Sequence, residues 1–257
     1  MKRIILALSL MTAPLLAGAE EAAPTPMYVA ATNLTVSGHP GAQNRFETFI
    51  KRAAEAHAKL DTKRHWFAWQ QEMGNPRSYT LARTFGSMTA MDETPMNPIA
   101  EAFGPEEIAK LTPDHEVVAS VERGVWVQRP DLAVMPDSPV GQRVIWLQAT
   151  VRAGENERFE AYVAKVAEAT REVAPEVRYA TFAPVFGSQN TYVFSVPTSY
   201  AQLDEAPVMS VSERLREAFG EREARRLEAE RAATVESLVQ LLVRPRPDLA
   251  YQPPAEE

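Results

Sequence analysis

The side chains best suited to chemistry lie in two aromatic segments, one in each half of the chain. The first is His65-Trp66-Phe67-Ala68-Trp69, and its counterpart is Arg178-Tyr179-Ala180-Thr181-Phe182. An imidazole can accept a proton or bind iron, so His65 could act as a general base or as an axial haem ligand. Together with Arg178, at the matching position, it could instead bind an anionic ligand. The alternative is that both side chains lie at strand ends and are solvated.

Other aromatic side chains could orient a ligand. Tyr79 and Tyr192 occupy matching positions in the two halves, and Tyr179 matches Trp66. Successive side chains of a strand point to opposite faces, so Trp66 faces away from His65. A phenol can orient a bound molecule, but aromatic residues of paired strands are more often packing units with a polar tip. We expect ligand-binding side chains, with no assigned catalytic residue, among His65, Trp66, Trp69, Tyr79, Arg178, Tyr179 and Tyr192.

The sequence predicts neither a metal site nor a cofactor. Its four histidines, His39, His57, His65 and His115, all lie in the first half, and they do not form a metal-binding motif. The chain also lacks cysteine. It contains no Gly-x-Ser-x-Gly elbow, no phosphate-binding glycine-rich loop and no dinucleotide fingerprint. We interpret His57, which lies on an apolar helical stripe, as a packed and hydrogen-bonded core residue.

Short motifs recur in the same order along the chain. The pairs are Arg45-Phe46-Glu47 with Arg158-Phe159-Glu160, Glu101-Ala102-Phe103-Gly104 with Glu217-Ala218-Phe219-Gly220, and Arg129-Pro130-Asp131-Leu132-Ala133 with Arg246-Pro247-Asp248-Leu249-Ala250. A unit repeated only twice at so long a period indicates two tandem domains and not a solenoid. We therefore divide the chain into a first repeat over residues 28–135 and a second over residues 140–251.

Each repeat has the pattern of strand, helix, two strands, helix and strand. The β-rich runs lie at 28–36, 65–71, 78–85, 124–128, 144–151, 178–185, 191–196 and 238–243, and the helical regions at 46–60, 98–121, 159–173 and 211–236. This order predicts an α+β fold of two tandem βαββαβ ferredoxin-like repeats, each with four antiparallel strands and two helices on one face. The two open sheet faces could be buried against each other.

On this element order and these repeated motifs, residues 28–250 resemble the dimeric α+β barrel superfamily, as a tandem duplication in one chain. That superfamily includes cofactor-free antibiotic-biosynthesis monooxygenases, haem-degrading monooxygenases, chlorite dismutase relatives and stress-responsive barrel proteins. The resemblance implies that the two sheets pack as a barrel-like pair. It assigns no catalytic residue to a position of this chain. The chlorite dismutase relatives bind haem through a histidine of the second repeat, and this second repeat contains none.

Composition and the first residues predict where the protein works. Residues 1–19 have the charged start, apolar run and small-residue end of a secretory signal. We therefore expect a periplasmic or secreted protein with flexible ends at 20–27 and 252–257. A net charge of -7 argues against nucleic acid as a partner, and no later stretch is apolar enough for membrane insertion. We expect a small-molecule ligand, and either a monomer with an internal pseudo-dimer or a homodimer.

Three classes of function remain open. The first is an exported soluble protein that binds a small ligand or a partner with a tandem α+β barrel. The second is a cofactor-free or haem-linked monooxygenase-like enzyme, which the aromatic side chains around His65 favour. The third is a structural or assembly protein, in which the charged segment 221–230 contacts a basic partner. Such alternating charge is also typical of a solvated helix face.

Overall fold

The computed structural model describes residues 27–62, 64–91, 98–107, 116–135, 142–187, 190–205 and 209–253. The predicted signal segment, His115 and the last residues of the predicted tail lie outside them. The strands are β1 (Tyr28–Val36), β2 (Phe67–Gln71), β3 (Ser78–Phe85), β4 (Val118–Gln128), β5 (Arg143–Val151), β6 (Ala180–Phe186), β7 (Thr191–Thr198) and β8 (Val235–Pro245). The main helices are α1 (Ala42–Lys59), α2 (Pro98–Phe103), α3 (Asn156–Val173), α4 (Tyr200–Asp204) and α5 (Val211–Thr234).

The eight strands form one closed antiparallel barrel in the order β1-β3-β2-β8-β5-β7-β6-β4. The predicted α+β class is confirmed. Two seams close the barrel, because β2 pairs with β8 from Trp69↔Pro245 to Gln71↔Val243, and β4 pairs with β6. The remaining pairs join strands that lie within residues 28–128 or within residues 143–245.

The clearest error of the sequence prediction concerns residues 118–121, which were expected to end a helix. They are the start of β4, which pairs with β1 as far as Val36↔Val118. Val118 packs against the buried core next to β1, and Val117 is itself only 2% exposed. Pairing and burial decide the conformation of such a β-branched segment, whereas its charged neighbours suggest a helix.

The strands alternate between a helix-facing side and a lumen side. Under α1, the buried side chains of Val36, Ala68 and Tyr79 meet Phe46 and Ile50. The lumen side carries large aromatic rings instead, and the ring centroids of Trp69 and Trp146 lie 5.6 Å apart. Because successive strand residues point to opposite faces, one short aromatic segment supplies both the outer core and the barrel interior.

The repeated motifs contact each other across the two halves of the barrel. Arg246 follows β8 and donates two hydrogen bonds to the carboxylate of Glu47 on α1, at 3.0 and 2.9 Å. The Tyr79 hydroxyl donates to the same carboxylate at 2.7 Å. Arg246 also donates to Asp248 at 2.8 Å. These four residues form what we call the first clasp.

The second clasp has the same composition with the halves exchanged. Arg129 follows β4 and donates to Glu160 on α3 at 2.8 Å, and the Tyr192 hydroxyl donates to Glu160 at 2.8 Å. Asp131 accepts from the same guanidinium at 2.9 and 2.7 Å. Each clasp therefore ties the helix of one half to the chain that leaves the last strand of the other half.

The motif Glu-Ala-Phe-Gly marks a helix break in both halves. Its glycines, Gly104 and Gly220, have φ angles of 90° and 79°. Gly104 follows the end of α2, and Gly220 interrupts α5, which the sequence predicted as an unbroken helix. Only glycine adopts these angles without strain, so the letter-for-letter repeat encodes a change of chain direction.

His57 has the core position that the sequence predicted. Its side chain is 2% exposed, its Nδ1 lies 2.7 Å from the Thr62 hydroxyl, and its ring packs against Trp66 and Tyr251. Burial, followed by the positive charge of Arg64 and Arg83, lowers the pKa of His57 to about 4.

Acidification is expected to destabilise the protein through His57. The unfolded chain takes up a proton at its ordinary pKa of 6.5, whereas the folded chain resists protonation down to about 4. Stability from this group is therefore complete above pH 6.5 and is lost as the pH falls towards 4, by about 2–3 kcal/mol. Urea unfolding of the parent and of His57→Gln at several pH values tests this. Equal slopes for the two proteins over that pH range would contradict it.

Candidate functional site

The structure distributes the seven predicted site residues over several environments. Trp66, Tyr79 and Tyr192 are buried on the helix-facing side of the barrel. The Trp66 indole donates to the Leu249 carbonyl at 2.8 Å, and the two tyrosines belong to the clasps. Each of these three side chains is already hydrogen-bonded within the fold. A role for them in binding a ligand remains a prediction.

His65 and Arg178 do not lie on neighbouring strands. They precede β2 and β6, and three strands separate β2 from β6 around the barrel. His65 Nε2 lies 2.8 Å from the Thr84 hydroxyl, and the Arg178 guanidinium donates to the Pro175 carbonyl. Their proposed joint binding of an anion is therefore not favoured by this topology.

Trp69 and Tyr179 lie on opposite sides of the sheet. Trp69 points into the barrel, where its ring contacts those of Phe67 and Trp146. Tyr179 points outward and lines a cavity between the barrel and the helices of the second half. Of the predicted residues, Tyr179 is the one that the structure places in a large apolar cavity.

This cavity, which we call the outer cavity, has a volume of about 280 Å³. It lies between α3, α5 and the outer face of β5, β7 and β8. The walls are mostly apolar and include Ala149, Phe159, Val163, Val166, Phe194 and Val235. The walls consist of core residues because α3 packs on the sheet through its apolar stripe, and α5 covers the remaining space.

Two polar atoms of residues that line the cavity have no hydrogen-bond partner among the described residues. They are the hydroxyl of Tyr179 and the Nε of Arg214, both completely buried atoms. Tyr179 is 6% exposed and Arg214 is 8% exposed. The Thr170 hydroxyl, which donates to the Val166 carbonyl at 2.7 Å, lies near Tyr179 but forms no hydrogen bond of normal geometry with the Tyr179 hydroxyl. Buried groups of this kind normally have partners, so the two donors are suited to binding a ligand.

The electrostatics of the outer cavity favour an anion. Arg214 and Arg231 carry positive charge, and Glu228 is the acidic side chain among the described residues that line the cavity. Burial raises the pKa of Tyr162 to about 12 and also raises the pKa of Tyr179. Both phenols therefore stay protonated at neutral pH and can donate hydrogen bonds. Burial lowers the pKa of Arg214, but a guanidinium remains charged at neutral pH.

Sequence reasoning missed Arg214 and Tyr162. Arg214 belongs to a helix rich in charge, where one more arginine is not conspicuous. The available signal was its spacing, because it lies three residues after Val211 and directly before the fully buried Leu215. Tyr162 was recognised as part of the apolar stripe of α3, but a stripe does not show that space remains above it.

In the described part of the chain, no group of three or more His, Asp or Glu side chains could hold a metal ion. None of the described helices is long and apolar enough to cross a membrane.

Comparison with known proteins gives fold-level similarity only. No family model matches the chain, and no curated protein matches it. Similar solved structures include a protein proposed to be a monooxygenase from Lactobacillus acidophilus NCFM, with 10% identity, a TM-score of 0.49 and coverage of 89% of this chain and 96% of that one. An anthrone oxidase-like protein has 10% identity, a TM-score of 0.48 and coverage of 86% and 91%. Chlorite dismutase from Candidatus Nitrospira defluvii in complex with imidazole has 9% identity, a TM-score of 0.49 and coverage of 86% and 92%.

Monooxygenases and chlorite dismutase relatives are among the protein classes that the sequence resemblance named. At such low identity and TM-score the similar structures carry no argument about the activity of this chain. The functional proposal therefore depends on the geometry of its own residues.

Proposed function

We propose that this protein binds a small apolar molecule with one anionic group in the outer cavity. The observation that carries the proposal is a pair of buried donors without a hydrogen-bond partner among the described residues, the Tyr179 hydroxyl and the Arg214 Nε, on two residues that line the apolar cavity. A carboxylate could accept from both, and the hydrocarbon part would fill the space between α3, α5 and the sheet. Hydrogen bonds to a charged group are worth about 1.5–3 kcal/mol each, so a ligand that satisfies Arg214 gains affinity.

The cavity volume guides the choice of a probe. Pockets that bind organic ligands usually have volumes of about 300–1,000 Å³, and this cavity, at about 280 Å³, lies just below that range. A medium-chain carboxylic acid such as octanoate is therefore a suitable probe.

Binding is favoured over proton abstraction because the phenols of the cavity are poor bases. Burial raises the pKa of Tyr162 to about 12, so its protonated form dominates at neutral pH. The described lining residues also do not fit a haem. They include no histidine, cysteine or methionine, and the raised tyrosine pKa values oppose the phenolate that would bind iron. The haem-linked alternative therefore has no support from this cavity.

The assembly alternative, which used the charged segment 221–230, is also not favoured. Its side chains pair within the helix, as in Arg225 with Glu221 at 2.9 Å and Arg226 with Glu223 at 2.7 Å. Such pairing is typical of a solvated helix face.

Octanoate is expected to bind to the parent protein and to bind much more weakly to Arg214→Met. The loss of a charged hydrogen-bond donor should weaken binding about 10–100-fold, and Tyr179→Phe should weaken it about 3–10-fold. Isothermal titration calorimetry with octanoate, and with 1-octanol as the neutral analogue, measures this. The preference for octanoate over 1-octanol should disappear in Arg214→Met.

The matched control is Arg216→Met, because Arg216 is on the same helix but its side chain is 52% exposed. It should bind octanoate like the parent. The ligand-free Arg214→Met protein should be at least as stable as the parent, because the variant removes a largely buried guanidinium whose Nε has no partner among the described residues. Equal binding of octanoate by Arg214→Met and the parent, or no binding by either, would rule out the proposed site.

We also propose that the chain is a tandem duplication of two ferredoxin-like repeats, over residues 28–135 and 140–251. The recurrence of the motifs and the exchanged partners of the two clasps support it. We further propose an exported protein with a signal at residues 1–19, a monomer that holds its own pseudo-dimer, and no membrane or nucleic-acid partner. The signal pattern supports export, and the net charge of -7 argues against a nucleic-acid partner.

A further inference from the structure

A second cavity, of about 210 Å³, lies inside the barrel, and we call it the lumen cavity. Lumen-facing side chains of β1, β2, β3, β4, β5 and β8 surround it, so both halves of the chain contribute. Tyr79 and Leu34 also border it, but their side chains pack in the outer core under α1. The lumen cavity therefore differs in place and in lining from the outer cavity.

Most of the lumen cavity is lined by neutral hydrogen-bonding groups. Asn33, which lines the cavity, accepts a hydrogen bond at Oδ1 from the Thr80 hydroxyl at 2.7 Å, and its amide NH2 has no side-chain partner among the described residues. Gln71 uses its Nε2 to bond the Met73 carbonyl at 2.7 Å, and its Oε1 remains an acceptor. Among the described residues, the Gln148 amide has no side-chain hydrogen bond. Donors and acceptors are thus both available.

One acidic and one aromatic side chain complete the lumen cavity. Glu122 lines it and forms no ion pair or hydrogen bond within the described part of the chain. Trp146 supplies an indole that makes an edge-to-face contact with Trp69, at a centroid distance of 5.6 Å. No Lys, Arg or His side chain is among the described residues of the lining, so an anionic ligand would be repelled.

We propose that the lumen cavity binds a small neutral polyol, such as a monosaccharide. Each hydroxyl of a polyol can donate and accept, so it matches a wall in which the Asn33 amide donates and the Gln71 and Glu122 oxygens accept. The C–H groups on one face of a sugar ring can pack against the indole of Trp146. A simple amine could use Glu122 and Trp146, but it only donates, so it would leave the donor groups of the wall without an acceptor.

D-glucose, D-xylose and sorbitol are the probes for this site. We expect saturation transfer from the parent protein to at least one of them in ligand-observed NMR, with dissociation constants in the millimolar range. Glu122→Gln and Gln148→Leu should each weaken binding about 3–10-fold, because each removes one hydrogen-bonding group. Nitrogen–proton spectra of the variants would show that the fold is retained.

Two control variants test whether the loss of sugar binding is specific to the lumen cavity. Glu236→Gln makes the same chemical change at an exposed position of β8 outside the lumen lining, and it should not affect sugar binding. Arg214→Met removes the proposed outer-cavity ligand and should also leave sugar binding intact, so the two proposals fail independently. Absence of transfer to all three polyols, binding of ethanolamine in their place, or unchanged binding in both lumen variants would each overturn the proposal.

Discussion

Replacing Arg246 with alanine is expected to lower the free energy of unfolding by about 3–5 kcal/mol. The side chains of Arg246 and Glu47 are only 13% and 18% exposed, and the guanidinium also donates to Gln70 at 2.9 Å. The variant leaves the Glu47 carboxylate buried with the Tyr79 hydroxyl as a remaining donor. The loss is large because a desolvated charge without its partner is more unfavourable than the intact pair is favourable. Urea unfolding followed by fluorescence measures it.

Two other arginines provide graded controls for Arg246→Ala. Arg129→Ala breaks the second clasp, whose Arg129 and Glu160 side chains are 29% and 26% exposed, so we expect a smaller loss of about 1–3 kcal/mol. Arg225→Ala removes a helix-surface pair in which the arginine is 75% exposed, and it should cost at most about 0.5 kcal/mol. An Arg246→Ala effect no larger than that of Arg225→Ala would refute the structural role of the first clasp.

The first clasp also predicts a pH effect. Hydrogen bonds from Arg246, with smaller help from Tyr79 and Gln43, lower the pKa of Glu47 to about 2. The stability that Glu47 contributes is therefore complete above its ordinary pKa of 4.5 and is lost as the pH falls through about 2. Glu47→Gln should be less stable at neutral pH and should show a smaller further loss over this acidic range.

Replacing Gly187 with alanine is expected to destabilise the protein by about 2–5 kcal/mol. Gly187 follows β6 at the seam with β4 and has a φ angle of 68°. A Cβ atom there would lie 2.4 Å from the main-chain carbonyl oxygen of Arg123, which cannot rotate away as a side chain could. The variant therefore combines backbone strain with a clash between two strands that close the barrel.

Gly154→Ala separates these two causes. Gly154 has a similar φ angle of 82°, but nothing lies within 4 Å of the position of its Cβ. It should cost only the backbone strain, about 1–2 kcal/mol. Hydrogen exchange should also show faster opening of residues 125–128 of β4 in Gly187→Ala alone. Equal destabilisation by the two alanine variants would show that the close approach at the seam is unimportant.

The site could be predicted only in part because one aromatic segment serves two faces. Alternation correctly separated Trp66 from Trp69, and the structure places Trp66 in the core and Trp69 in the lumen. Whether a tyrosine meets a partner or a cavity is not encoded in its own segment. Tyr192 meets Glu160 from α3, whereas the Tyr179 hydroxyl meets no hydrogen-bond partner among the described residues.

The repeated motifs also show which features the sequence reveals and which it does not. Their recurrence indicated a duplicated pattern, but not that the Arg-Pro-Asp motif of one half would bind the Arg-Phe-Glu motif of the other. That contact joins Arg246 to Glu47 across almost the whole chain, and a distant contact leaves no local periodicity from which it could be inferred.

By itself, the sequence determined most of the strands, the amphipathic helices α1 and α3 and the α+β class, because these depend on local patterns of apolar residues with periods of two and of about 3.6. Only the tertiary structure decided how β2 meets β8, where the two cavities lie and which polar groups remain without partners. Those features depend on how the volumes and hydrogen-bonding groups of distant segments match when the barrel closes, and the presence of Arg214 and Tyr179 in the lining of one cavity is an example.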